Sequence, residues 1–416
     1  MIFQHSIPAP SEKRMAVHVT PAAERALREG HPWLFEGAIQ KQSRDGRPGD
    51  LAVVFDRKNR FLAVGLYDPD SPIRVRVLQA NKPAKINGDW FTMKLKQAAD
   101  LRRPLLEDGR TNGYRLVHGE NDGLPGLVVD RYGASYVISL DTAAWIPYLP
   151  VLLPIVKQLV AGDRFVLRMS RSVEQQKDYL YGLREGQVLA GAALDGPVTF
   201  MENGLRFTAD LVNGQKTGFF LDQRENRARV EALVSKTGPV RRVLNVFAYT
   251  GGFSLYAARG GAAHVTSVDL SHQALETAET NFRLNQTIPT VAQAWHETIA
   301  GDAFEVMGLL EEAGQWYDMV VVDPPSFARR KGEEAGALGA YSRLVKQGLA
   351  LLRPNGTLVM SSCSSRITAD AFYDRLFYSA AQVGRPLSEI ERSGHPLDHP
   401  IGFPEGAYLK CLFARA

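Results

Sequence analysis

Cys363 lies in Leu358-Val-Met-Ser-Ser-Cys-Ser-Ser365, a run that reads as a buried strand ending in small polar residues, and it is one of two cysteines in 416 residues. A thiolate there could add to C6 of a pyrimidine and make C5 nucleophilic toward an electrophilic methyl group, a step that cytosine C5 needs covalent catalysis to perform. A free thiol has a pKa of about 8.5, so the pocket must stabilise the thiolate or deprotonate the thiol on attack. The alternative is a cysteine in inert core, since free Cys is among the most buried residue types. Cys411, flanked by Leu409, Leu412 and Phe413, fits that alternative, whereas the four serines beside Cys363 are an odd lining for inert core.

Forty residues upstream, Asp318-Met-Val-Val-Val-Asp-Pro-Pro-Ser-Phe327 is a second strand that ends in chemistry. Pro324 and Pro325 cannot continue a central strand or donate ladder hydrogen bonds, so the chain leaves rigidly and presents the Asp323 carboxylate, nearby carbonyls and the Phe327 ring. A planar base can stack on that ring while its polar edge meets the carboxylate. The plainer reading is a strand-terminating turn. In a parallel sheet both strands open onto one carboxyl edge, where ligands of open α/β sheets bind.

Three further segments address the same edge. Leu244-Asn-Val-Phe-Ala-Tyr-Thr-Gly-Gly-Phe-Ser-Leu255 joins an apolar strand to a helix through Thr250, Gly251 and Gly252, which permits close backbone approach at a helix N-terminus. It lacks the G-x-G-x-x-G spacing of dinucleotide sites. Eighteen residues beyond Gly251 a second strand ends at Asp269, whose carboxylate can accept from both ribose hydroxyls; alone, each piece also fits a tight turn or a capping Asp. Asp302 sits where a third strand would end and is either the acceptor for an exocyclic adenine amine or a helix N-cap. Gly214 to Arg227 reads as a loop entering a helix, either a lid over a cofactor or a solvated helix start.

The elements that must position these residues divide along the chain. Leu51–Phe55, Phe61–Tyr67 and Ile73–Leu78 are short strands separated by turn formers, which predicts a small barrel. Helical spacing over Asp89 to Arg103, strands near Tyr114–His118, Leu127–Asp130, Tyr136–Leu140 and Phe165–Met169, and a helix from Trp145 to Ala161 predict a central α+β region of residues 83–195. From Arg242 strand, glycine turn and helix alternate, as in a doubly wound parallel sheet, with a last strand in Ala407–Ala416. The stretch Gly182 to Pro197 reads as the linker.

Composition bounds the function. A hydrophobic content of 45% and a charged content of 23% are ordinary for a globular protein, and two cysteines argue for a reducing compartment. Met1 to Pro8 shows no secretory pattern and no apolar run reaches membrane-spanning length, so the protein reads as cytoplasmic. The net charge of +4 is uneven: residues 1–100 hold 16 Lys and Arg against 11 Asp and Glu, an excess suited to phosphate contacts or simply to a solvated surface.

At these motifs the chain resembles the PUA-domain family of large-subunit (23S) rRNA cytosine-C5 methyltransferases dependent on S-adenosylmethionine. His31-Pro-Trp-Leu-Phe35 and Gly65-Leu-Tyr-Asp68 resemble its PUA domain; Asp122-Gly-Leu-Pro-Gly-Leu127 and Asp130-Arg-Tyr132 resemble its central domain. Gly214 to Arg227, Asn245 to Gly252, Asp323 to Phe327 and Ser362-Cys363-Ser364 resemble its catalytic motifs. The resemblance implies an α/β protein with a PUA-like RNA-binding barrel over 1–82 and a Rossmann-like methyltransferase domain, built on a mostly parallel seven-stranded sheet, over 196–416. It implies Cys363 as nucleophile and Asp323 at the cytosine edge, with Phe247, Tyr249, Thr250, Gly251, Gly252, Asp269, Leu270, Asp302 and Asp323 around S-adenosylmethionine. Gln215, Phe220 and Asp222 would join the cofactor, while Pro324, Pro325, Phe327, Lys216 and Arg224 would meet the substrate. Large-subunit rRNA is the expected partner, no metal is expected, and a homodimer is left open. Broader RNA cytosine-C5 methyltransferases carry a second cysteine after the proline of the strand-four motif; here Pro324-Pro325-Ser326 has none, and the base that removes the C5 proton is unassigned.

Rival readings are an RNA N-methyltransferase acting on guanine, in which Cys363 is structural, and an RNA-binding assembly factor without catalysis. A nicotinamide oxidoreductase would suit Asp269 but neither the glycine spacing nor Asp-Pro-Pro.

Overall fold

The computed structural model describes residues 6–160, 162–236, 241–328 and 330–416. Met1 to His5 of the amino-terminal reading, and Ala161 at the end of the expected helix, lie outside them. The chain forms two compact units: residues 1–204, 209–221 and 397–404 in one, and 205–208, 222–396 and 405–416 in the other.

The first unit holds two sheets. Strands β1 (Met15–Val19), β2 (Trp33–Phe35), β3 (Ile39–Gln42), β4 (Leu51–Phe55), β5 (Phe61–Tyr67) and β6 (Ile73–Ala80) form a six-stranded sheet in the order β2-β6-β5-β4-β1-β3. Gly65 is required where β5 meets β6, because a Cβ there would stand 2.3 Å from the Arg76 carbonyl oxygen. Met15, Val17, Val19, Ala52 and Val54 alternate into a core closed by Leu27 of the helix Pro21–Arg28. Strands β7 (Gly113–His118), β8 (Leu127–Tyr132), β9 (Ser135–Leu140), β10 (Arg164–Met169) and β11 (Val188–Ala190) make the second sheet. The helices Gly88–Arg102 and Leu149–Leu159 contribute Phe91, Leu95, Leu152 and Leu153 to its core. The single helix expected from Trp145 is preceded by a tight 3-10 turn over Ala143–Tyr148, with Pro147 and Pro150 in the run.

The strings that resemble a known central domain hold this unit together. Asp122 binds the fully buried Arg102 through two 2.7 Å hydrogen bonds, and Arg102 also donates to the Asp398 carbonyl at 2.9 Å. Asp130 receives Arg115 at 2.8 and 2.9 Å and the Thr217 hydroxyl at 2.5 Å, while the Tyr132 hydroxyl lies 2.8 Å from Thr217 Oγ1. These carboxylates are compensated ions of a buried network, whose loss would leave unpaired charge.

Two short strands, β12 (Val198–Glu202) and β13 (Leu205–Ala209), carry the chain toward the second unit. Its sheet comprises β14 (Arg242–Val246), β15 (His264–Asp269), β16 (Trp295–Ala300), β17 (Tyr317–Val322), β18 (Leu352–Ser362), β19 (Ser388–Ser393) and β20 (Lys410–Arg415), in the order β16-β15-β14-β17-β18-β20-β19. The ladders from β16 to β18 are parallel, and β20 pairs antiparallel with both β18 and β19. This is the Rossmann-like α/β fold expected from the alternation, with its order reversing between β14 and β17, the switch point where such sheets bind ligands. Central strands carry Leu244, Val246, Val320, Val322, Leu358 and Met360, buried as covered parallel strands require.

A polar chain crosses this unit beneath the edge strand. Asn245 Nδ2 donates to Ser254 Oγ at 2.9 Å, Ser254 and Ser267 hydroxyls meet at 2.7 Å, and Ser267 lies 2.9 Å from His296 Nε2, whose ring stacks on Phe282 at 3.8 Å. Burial holds His296 down at a pKa of about 4. Its unfolded value is near 6.5, so its contribution is intact above pH 6.5 and is lost as pH falls through 4. Urea unfolding from pH 7 to pH 4 should therefore show a loss on the order of 2 kcal/mol that His296→Phe flattens; an unchanged acid limb in that variant would refute it.

Candidate active site

The turn after β14 is strained in a way that exposes backbone. Phe247, Tyr249 and Gly251 have φ of 61°, 48° and 74°, and left-handed backbone in non-glycine residues costs about 1 kcal/mol or more each. It persists because neighbours pin it. Ala248 N donates to Val268 O at 2.9 Å, Tyr249 N to Asp269 Oδ2 at 2.7 Å, and Asn281 Nδ2 to Thr250 O at 2.9 Å. At Gly251 a side chain is excluded twice, by φ and by Ala278 Cβ, which a new Cβ would approach to 2.7 Å.

Gly251 caps the helix Gly252–Arg259 with no side-chain hydrogen bond, so the cap residue satisfies none of the first N–H groups through a side chain. The Thr250 hydroxyl oxygen is buried and has no hydrogen-bond partner among the described residues. A left-handed turn, uncapped helix start, orphaned hydroxyl and strand-end carboxylate suit an adenosyl donor. Asp269 is already engaged: Oδ1 accepts from Ser271 N at 2.9 Å, and each oxygen retains a second acceptor direction. Leu270 beside it is 75% exposed. Asp302 N-caps the helix Ala303–Glu312, with Oδ1 accepting from Phe304 N at 2.9 Å and Glu305 N at 3.2 Å. One oxygen thus performs the capping reading of that residue.

The two chemically loaded strand ends are adjacent. In the β17–β18 ladder Val322 pairs with Met360, so Asp323 and Cys363 leave neighbouring strands at the same edge. The Cys363 thiol points at the Pro324 carbonyl, Sγ to O 3.8 Å, and is partly exposed, whereas Cys411 is fully buried and pushed up to about 12 by that burial. The serines around Cys363 are structural ties. Ser361 donates to Cys411 Sγ at 3.3 Å, Ser362 accepts from the Tyr341 hydroxyl at 2.8 Å, and Ser364 donates to Ala328 O at 2.9 Å. Pro324 is buried, Pro325 is exposed, and the half-buried Phe327 packs edge-on against Tyr341 at 5.4 Å.

Asp323 is oriented by residues that sequence reasoning saw but did not assign. Gln223 Nε2 donates to Asp323 Oδ1 at 2.7 Å, Asn226 Nδ2 donates to Gln223 Oε1, and Ser393 donates to Asn226 Oδ1. Gln223 and Asn226 are three apart across the start of the helix Arg224–Lys236 and both buried. Two amides at that spacing on a buried face were the available signal, since an amide is buried only with a partner. Asp222 accepts from the Tyr408 hydroxyl at 2.8 Å, and Arg224 is 1% exposed with its Nε 3.1 Å from Glu225 Oε1. Gln215, Lys216 and Phe220 belong to the first unit, where Lys216 Nζ stands 4.5 Å from the Phe220 ring centroid and Thr217 between them is tied to Asp130.

Lys410 is a residue that sequence reasoning missed. It is 5% exposed and donates to the carbonyls of Ser364 and Ile367 at 2.5 and 2.7 Å. A lysine on the same strand face as Leu412 and Ala414 was the sequence signal. Among the described residues no group of three or more His, Cys, Asp or Glu is placed to hold a metal, and no helix is long and apolar enough to cross a membrane.

Comparison with known proteins identifies the family. Residues 127–415 match the model of an S-adenosylmethionine-dependent methyltransferase family, and residues 17–80 match a PUA-like domain. A Deinococcus radiodurans protein named ribosomal RNA large subunit methyltransferase is 46% identical over 98% of this chain and 99% of its own length. An Aliivibrio fischeri protein named ribosomal RNA large subunit methyltransferase I is 35% identical over 96% and 99%. A solved Streptococcus mutans structure, described as a SAM-dependent methyltransferase, superposes with a TM-score of 0.80 at 22% identity over 96% of this chain and all of its own. A second, a methyltransferase complexed with SAH, gives the same TM-score and identity. The chain therefore belongs to the family of S-adenosylmethionine-dependent methyltransferases, with a PUA-like domain ahead of the Rossmann-like one and S-adenosylmethionine as its cofactor.

Proposed function

We propose that the protein transfers a methyl group to C5 of a cytosine in large-subunit rRNA through a covalent adduct between Cys363 and C6. The observation that carries this reading is the partly exposed Cys363 thiol 3.8 Å from the carbonyl of Pro324, on the strand end beside Asp323. The names of the relatives point to large-subunit rRNA as the substrate class.

Bound S-adenosylmethionine supplies an electrophilic methyl group beside the sheet edge. Cys363 as thiolate would add to C6, and the electron pair of the C5–C6 double bond would move to C5, which would take the methyl group as its bond to the donor sulfur breaks, with S-adenosylhomocysteine as the leaving group. Loss of the C5 proton to a base then restores the double bond and expels the thiolate. Ser326 offers no thiol for that expulsion, and its hydroxyl donates to Ala328 O at 3.1 Å. Asp323, its plane held by Gln223, accepts from the exocyclic amine of the cytosine, and Phe327 and Pro325 flank a base that has left its stack. Thr250, Gly251 and the helix start behind them orient the donor.

The test is mass analysis of large-subunit rRNA nucleosides from cells with and without the protein. One 5-methylcytidine should depend on its presence; dependence of a methylguanosine instead would overturn the cytosine assignment.

A further inference from the structure

We propose that Lys410 is a positioning residue that keeps the Cys363 loop in its reactive geometry and biases the thiol toward thiolate. This rests on the reading of Cys363 as nucleophile.

Lys410 opens β20 and pairs in register with Ser362, the residue before Cys363. Its ammonium reaches past that pair to the carbonyls of Ser364 and Ile367, which lie one and four residues after the thiol. The turn carrying Cys363 is thus bracketed by backbone pairing on one side and by Lys410 on the other. A buried ammonium normally has a carboxylate partner, because taking an unpaired ion out of water is costly. Among the described residues no carboxylate forms an ion pair with Lys410, and both hydrogen-bond acceptors are neutral carbonyls. Two neutral carbonyls leave the charge of the ammonium uncompensated, so it is available to an anion on the same turn.

The surrounding titratable groups leave Cys363 in that place. Tyr341, from the helix Glu334–Ala350, is pushed up to about 12 by burial and stays neutral. Cys411 and Tyr373, the latter on the helix Ala369–Gln382, are likewise raised to about 12 by burial. Asp323, held by Gln223 across the strand ends, is the other anion of this cluster, but the charge that acts on Lys410 is that of Cys363. Burial lowers Lys410 to about 8, and the opposing influence on it is the charge of Cys363. By reciprocity, protonated Lys410 lowers the proton affinity of Cys363.

The test reads the thiol directly in the full-length protein. Alkylation of Cys363 by iodoacetamide is followed against pH, with peptide mapping to separate it from Cys411. In K410M and K410Q the midpoint should rise by about one pH unit, and the acid limb of the methyl-transfer profile should move with it. K410R, which keeps the charge, should hold the midpoint at or below that of the unmodified protein. A folded K410Q or K410M with an unmoved midpoint overturns the proposal. If neither folds, a raised midpoint in K410R overturns it. Should Cys363→Ala retain methyl transfer while K410Q still shifts alkylation, the nucleophile reading fails and the coupling of Lys410 to the thiol stands.

Discussion

Cys363→Ala should abolish methyl transfer, with a loss of about 10⁴-fold or more, and should leave binding of S-adenosylmethionine within about twofold of the unmodified protein. The size follows from the proposed reaction at cytosine C5: without C6 addition that carbon has too little electron density to take the methyl group. The selectivity follows from the structure. Donor-side groups sit on β14, β15 and their following turns, whereas Cys363 follows β18, so truncating it disturbs none of the ties at Tyr249, Thr250 or Asp269. Cys363 is partly exposed at a strand end, so the alanine leaves no large core cavity. Isothermal titration with the cofactor and single-turnover transfer to large-subunit rRNA check both halves. Turnover within tenfold of normal would remove the covalent step and favour direct attack by a ring or exocyclic nitrogen.

Asp323→Asn should lower kcat/KM by about 10²-fold or more and leave the thermal midpoint nearly unchanged. Oδ1 is held by Gln223, which is backed by Asn226 and Ser393, so the carboxylate cannot rotate to suit another ligand. An asparagine either turns its amide nitrogen toward the Gln223 donor or presents it to the amine of the base; both juxtapose donors in a site that needs an acceptor. Gln223→Ala, which frees the carboxylate without removing it, should cost about tenfold, mostly in kcat. Steady-state kinetics on the three proteins decide this, and an Asp323→Asn enzyme within threefold of normal would reduce the motif to a strand terminator.

Most of the catalytic unit was legible because its signals are local. Val243, Leu244 and Val246, or Met319 to Val322, are buried on both faces, so they read as unbroken apolar runs, and the glycine and proline punctuation after them names the turns. The edge strands β16 and β19 were harder. Trp295-His-Glu-Thr-Ile-Ala and Ser388-Glu-Ile-Glu-Arg-Ser are only half covered, and their polar alternation resembles loop. The short β1, β2 and β3 gave similarly weak runs, and their place comes from pairing across long sequence separations, as between β1 and β4.

The sequence by itself determined the alternating βα order, the glycine turn, the Asp-Pro-Pro exit and the presence of one cysteine in a polar strand end. These are properties of consecutive residues, where hydrophobic period, proline geometry and glycine freedom act within a few positions. Only the tertiary structure decided which groups serve Asp323 and Cys363. Gln223 is 100 residues from Asp323, and Lys410 is 46 residues from the Ser364 carbonyl it binds. Their roles arise from burial, which forces each polar group to find a partner among whatever the fold brings near. It also decided that the serines beside Cys363 are ties to Tyr341, Cys411 and Ala328, so the setting of Cys363 is held by its neighbours across strands.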